Sequence, residues 1–173
     1  MTALFRSTHD ALRFAYRFNG DNTVSARLGN TPSGNGRGLG GLDGAAQAGM
    51  IQSEVRRLGE TVEAVAVAQF AIPYTPAWKK AVARILMHMV SSSPRFKAIE
   101  LAMYLSVYFG QGSVKQETMA QRLGIHRNTV SKRYREVLRY LGNRRNRGLC
   151  DEVNMRIDSA LRASGIVGNE NND

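Results

Sequence analysis

The stretch Thr118–Leu138, TMAQRLGIHRNTVSKRYREVL, contains two short helical patterns that meet at one glycine, Gly124. A sharp bend between two helices imposes residue types. A small side chain is needed where the helices touch, and Ala120 stands there. Four residues later the turn needs a residue that tolerates positive φ, and Gly124 stands there. Met119, Leu123, Ile125 and Val130 supply the apolar wedge between the two helices. This is the pattern of a helix-turn-helix over residues 114–141, whose first helix crosses a phosphate backbone while the second lies in the major groove.

The second helix, read as Arg127–Leu141, is left with Arg127, Asn128, Ser131, Lys132 and Arg135 pointing outward. These side chains suit base edges: Arg and Lys donate to guanine O6 and N7, and Asn pairs bidentately with adenine. Gln121, Arg122, Thr129, Arg133 and Arg139 are placed for phosphates, with Arg144, Arg145 and Arg147 extending the same surface. One position departs from the usual pattern. Three residues after Val130 another apolar wedge residue is expected, and Arg133 is there, followed by Tyr134. The stripe Val130, Tyr134, Val137, Leu138 and Leu141 still closes one helical face.

Charge agrees with this location. The 173 residues carry a formal net charge of +10, and the window from Arg122 to Arg147 holds nine basic residues against one acid, Glu136. The rest of the chain is close to neutral, so the excess is a local patch, as phosphate binding requires.

Outward from this segment, the chain reads as all-α, a helical bundle with the two-helix motif near its C-terminus. A short helix spans His9–Phe18 and stops at Asn19-Gly20. Seven of the sixteen residues from Gly29 to Gly44 are glycine, which marks a loop. Asp43 is placed to cap the next helix, whose Met50, Val55 and Leu58 are expected to face inward. The segment ETVEAVAVAQFA alternates like a strand, but its alanines and helical neighbours favour a helix. Thr75-Pro76 starts a helix with Trp78, Val82, Ile85, Leu86 and Met89 on one face. Ser93-Pro94 repeats the signal before a centrally packed helix that runs to Phe109. Ser113 with Gln116 reads as a capping box for Val114–Leu123. A last amphipathic helix, Asp151–Ala163, presents Val153, Ile157, Ala160 and Leu161. The expected division is residues 1–74 as an N-terminal helical region, 75–165 as the domain holding the motif, and 166–173 as a flexible tail.

Other chemistry finds little support. Cys150 is the single cysteine, so no intrachain disulfide forms and a reducing cytoplasm is expected. His9, His88 and His126 lie far apart with no cysteine cluster, against a zinc site. No metal and no cofactor is expected. GRGLGG matches G-x-G-x-x-G at Gly36, Gly38 and Gly41, but GNTPSGN before it is no strand, against a dinucleotide site. Glu54, Glu60, Glu63, Asp151 and Glu152 form no recognisable ligand arrangement, and no nucleophile–base pair occurs, so the chain reads as no enzyme. No signal peptide or membrane span is expected. GNRRNRG (142–148) is either an arginine-rich RNA-binding segment that orders on contact or a basic extension touching neighbouring phosphates, and the second is favoured.

The stretch from Pro94 to Leu141 resembles the fourth domain of bacterial sigma factors, which ends in a similar turn followed by G-[IL]-x-R-x-x-V. LGIHRNTVSKRYREVLRYL is similar to the C-terminal part of phage late-gene antitermination proteins of the Q family, with Val130, Lys132, Arg133 and Tyr134 matching V-x-K-R and an aromatic. HDALRFAYRF and GLGGLDGAAQAGM resemble small Q-like prophage regulators. The resemblance implies a transcription antitermination factor that binds double-stranded DNA near a late promoter and engages paused RNA polymerase with sigma attached. It then travels at the RNA exit channel, next to nascent RNA, so that terminator hairpins cannot form. On that reading residues 1–74, with the loop 29–44, contribute polymerase and RNA contacts. Two alternatives share the motif. One is a repressor or activator acting at initiation as a homo-oligomer, for which the chain offers no clean dimer helix beyond the 151–163 stripe. The other is a phage DNA-packaging or replication protein.

Overall fold

Proline and glycine punctuation cuts the chain into helices whose apolar stripes have to find partners. The computed structural model describes residues 4–18, 42–92, 96–110, 114–143 and 145–168. Among these, eight α-helices occur and no strand: α1 Thr8–Arg17, α2 Leu42–Arg57, α3 Glu60–Phe70, α4 Pro76–Ser92, α5 Ala98–Phe109, α6 Gln116–Leu123, α7 Arg127–Leu141 and α8 Leu149–Ala163. The fold is all-α, as the periodicities require.

Local chemistry explains the starts. The Ser7 hydroxyl accepts from the Asp10 amide at the head of α1, and Thr75 Oγ1 accepts from the Trp78 amide at 3.3 Å ahead of Pro76. The alternating segment ETVEAVAVAQF is helical as α3. Its Val62, Val65, Ala64, Ala66 and Ala68 are buried on more than one side, and small alanines let neighbouring helices approach closely. Trp78 Nε1 donates to Ala68 O at 3.1 Å, tying α4 to α3.

Four sequence expectations need correction. In α2 the inward face is Ala48, Ile51 and Val55, while Met50 is 55% exposed; one residue is 100° of helical rotation, so neighbours change faces. α2 begins at Leu42, inside the span 29–44 expected to be a loop; residues 29–41 and the side chain of Asp43 lie outside the described residues. α6 starts at Gln116 behind an extended Lys115 with no side-chain cap, two residues later than expected. Ser93, Pro94 and Ser113 lie outside the described residues.

The fourth concerns the ends of the chain. Ile166 and Val167 are buried rather than part of a loose tail, and Val167 bridges to Phe5. The Phe5 amide donates to Ile166 O at 3.1 Å, and the Gly168 amide donates to Phe5 O at 3.1 Å. α8 lies against α1, α2, α3 and α7, so its Val153, Ile157 and Leu161 stripe is covered within the chain and does not serve as a free dimer helix. Asp158 accepts from Thr8 and from Arg162 Nε at 2.9 Å, and these bonds hold its carboxyl below the usual value. One core therefore runs across residue 74, where α3 and α4 pack together, and the division expected at 74/75 has no counterpart in the packing.

Candidate nucleic-acid interface

α6 ends because Gly124 takes the left-handed conformation, φ 63° and ψ 31°. The Ile125 amide then reaches back to Ala120 O at 3.1 Å and the Gly124 amide to Gln121 O at 3.3 Å. These two bonds satisfy the carbonyls that a helix end would leave bare. His126 caps α7: its Nδ1 accepts from the Asn128 amide at 3.2 Å, the role serine or threonine usually plays. Met119, Ala120 and Val130 are buried at the crossing, and Leu123 and Ile125 are half-buried beside them. A Cβ on Gly124 would meet nothing within 4 Å, so only torsion opposes a side chain there. Gly124→Ala is expected to lower stability by about 1–2 kcal/mol in thermal unfolding, and Gly124→Asn by less, because Asn tolerates this conformation.

α7 has two opposite stripes. Val130, Val137 and Leu141 are buried with Tyr134 half-buried, while Asn128, Lys132, Arg135 and Arg139, spaced 4, 3 and 4, are exposed. The second set is offset by two residues from the first, roughly half a turn around the helix. Asn128 and Lys132 stand out from the surface. Arg135 folds along its own helix, donating to Ser131 O at 3.2 Å and Ser131 Oγ at 3.1 Å, so Ser131 positions the guanidinium. Arg127 pairs across the turn with Glu117 at 3.2 Å, both groups well exposed. Such a pair contributes little to stability. Gln121 and Arg122 are exposed on α6, and Thr129 is half-buried.

Arg133, expected among the phosphate contacts, turns towards α5 instead. Its Nη1 donates to Glu100 Oε2 at 2.6 Å, on a carboxylate only 3% exposed. The Tyr104 hydroxyl donates to Glu100 Oε1 at 2.8 Å, and burial together with that bond raises the Tyr104 pKa, keeping the hydroxyl a donor. The rings of Tyr104 and Tyr134 pack at 5.6 Å, and the Tyr108 hydroxyl donates to Gly142 O at 3.2 Å. The missing wedge residue is thus replaced by an ion pair to α5, which fixes α7 along its inner face. A lone carboxylate in the otherwise uncharged helix AIELAMYLSVYF was the sequence signal for this partnership, because a buried acid needs a cation.

The basic segment after α7 is a closed turn. The Asn143 amide donates to Asn146 O at 2.9 Å, the Asn146 amide returns to Asn143 O at 3.2 Å, and Asn143 Oδ1 accepts from the Arg145 and Asn146 amides. Asp151 Oδ2 accepts from the Gly148 amide at 2.9 Å. A side chain on Gly148 would have its Cβ 2.3 Å from the Gly142 nitrogen, so the two ends of the turn touch backbone to backbone. Arg145 and Arg147 project from it, exposed, and Arg144 lies outside the described residues.

Elsewhere several reactive groups have structural partners. Glu63 pairs with Arg56 at 3.3 Å and Arg84 at 3.8 Å, and Glu54 with Arg57 at 2.8 Å. Burial pushes the Cys150 thiol up to about 11, so it stays protonated near neutral pH. His9 lies edge-on to Phe70 at 5.3 Å, and His88 is exposed on α4. Among the described residues no three His, Cys, Asp or Glu side chains converge, and no helix is long and apolar enough to cross a membrane. No protein-family model, curated protein or solved structure matches this chain.

Proposed function

We propose that α6 and α7 act as a helix-turn-helix, with α7 as the helix that reads double-stranded DNA. The observation that carries the reading is the outer stripe of α7. Asn128, Lys132 and Arg135 with Arg139 stand exposed, opposite a buried stripe, behind a turn closed by Gly124 and a cap at His126. Asn128, Lys132 and Arg135, with Arg127 and Ser131, read base edges. Gln121, Arg122, Thr129 and Arg139 position the chain on phosphates, and Arg145 and Arg147 extend that exposed basic surface beyond α7. The role is binding, not catalysis, and it requires no metal or cofactor.

The process served is transcription. The likeness of LGIHRNTVSKRYREVLRYL to Q-family antitermination proteins favours a phage or prophage factor that loads on promoter-proximal RNA polymerase and suppresses terminators. The interior role of Arg133 fits that pattern, since V-x-K-R with a following aromatic places a basic residue where other such motifs have an apolar one. The second reading, a regulator of initiation, uses the same DNA surface. With the α8 stripe covered within the chain, a dimer on DNA would need another surface.

Selection of bound duplexes from a random-sequence pool identifies the site. Transcription through a strong terminator, on templates with and without that site, then separates the two readings. Readthrough that needs both the protein and the site in cis supports antitermination. Altered initiation with unchanged readthrough supports the regulator.

A further inference from the structure

We propose that the turn after α7 is a second reading element: Arg145 and Arg147 enter the minor groove next to the α7 site and select A·T-rich flanks by shape. This rests on the reading of α7 as the DNA-reading helix and adds a specificity that α7 does not supply.

The geometry comes from helix length. α7 has 15 residues, about 22 Å at 1.5 Å per residue. The major groove is about 12 Å wide. With α7 entering that groove by its N-terminal turns and directed across it, its far end lies over the adjoining sugar–phosphate strand, on the side of the next minor groove. What the chain places beyond this end is the Asn143–Gly148 turn.

That turn is built to hold its arginines out. The reciprocal Asn143–Asn146 bonds and the Asn143 Oδ1 acceptor fix its backbone. The Gly142–Gly148 contact, the Tyr108–Gly142 bond and the Gly148–Asp151 bond anchor it to α5 and α8. A pre-closed turn loses little conformational freedom on binding, which distinguishes it from a flexible arginine-rich tail. The two cations described on the turn, Arg145 and Arg147, are both arginines. A narrow A-tract minor groove has an enhanced negative potential and attracts inserted cations without base-specific hydrogen bonds. Arginine suits it better than lysine, because the guanidinium is more weakly hydrated than an ammonium.

The test uses the full chain and duplexes bearing the selected core, flanked either by A·T steps only or by G·C steps only. Wild type is expected to bind the A·T-flanked duplex about five-fold more tightly. R145K/R147K keeps the charge and is expected to reduce that preference to less than about two-fold while retaining discrimination between the selected and a scrambled core. Equal affinity of wild type for both flanks overturns the proposal, and so does a preference that survives R145K/R147K. Loss of core discrimination in wild type is a different result, one that strikes the DNA-reading assignment of α7 itself. Unchanged thermal unfolding of R145K/R147K confirms that the turn is intact.

Discussion

Replacing Asn128, Lys132 and Arg135 together by alanine is expected to remove sequence discrimination while leaving the protein folded. Each side chain is exposed and faces away from the core, so thermal unfolding should change little; the Arg135–Ser131 bonds are surface contacts. Good base contacts contribute roughly 1–3 kcal/mol each. The triple variant should therefore lose on the order of 3–6 kcal/mol of preference for its site, two to four decades in relative affinity. Residual binding to any duplex should persist, because Arg122, Arg139, Arg145 and Arg147 remain. The measurement is competition between the selected and a scrambled duplex. Retained discrimination would move the reading surface off this face of α7.

The second large effect is on stability. Arg133→Met strips the buried Glu100 carboxyl of its cation and leaves it the Tyr104 hydroxyl as donor. Removing one partner of a buried ion pair costs about 3–5 kcal/mol. Here about 3 kcal/mol is expected, because the Arg133 side chain is 36% exposed and water reaches part of the site. Adding Glu100→Gln removes the stranded charge while keeping an oxygen for Tyr104, so the double variant should recover most of the loss in denaturant unfolding. A simple sum of the two single effects would mean that the residues are not coupled. DNA discrimination measured on folded Arg133→Met should stay close to wild type, since this arginine serves the inner face.

The contrast between Arg133 and its neighbours shows what a sequence can and cannot display. Gly124, Ala120 and the wedge residues were legible because a tight bend restricts residue type locally, whatever else surrounds it. The Thr75-Pro76 start was legible for the same reason. Arg133 looked like one more basic residue of a basic helix. Its partner lies 33 residues upstream, and only the packing of α5 against α7 turns it inward. The α8 stripe announced that something covers it but not what, and α1, α2, α3 and α7 of the same chain do so. The pair Ile166-Val167 was too short to stand out in a polar tail, although it closes against Phe5. His126 was an unusual cap, recognisable only once its Nδ1 met the Asn128 amide. In α2, Met50 and Ile51 compete for one inward position, and composition alone does not set the register.

The central claim is that the α6–α7 pair lays a cationic helix against duplex bases. The most direct measurement is the affinity of the unmodified protein for the selected and a scrambled duplex, followed from about 50 to 200 mM salt. The selected duplex should bind at least about a thousand-fold more tightly. For both duplexes the logarithm of affinity should fall linearly with the logarithm of salt, with a slope of about −3.6 if Arg122, Arg139, Arg145 and Arg147 each displace one counterion. A protein that leaves both duplexes unbound at the lowest salt, or holds them equally at every salt, would contradict it.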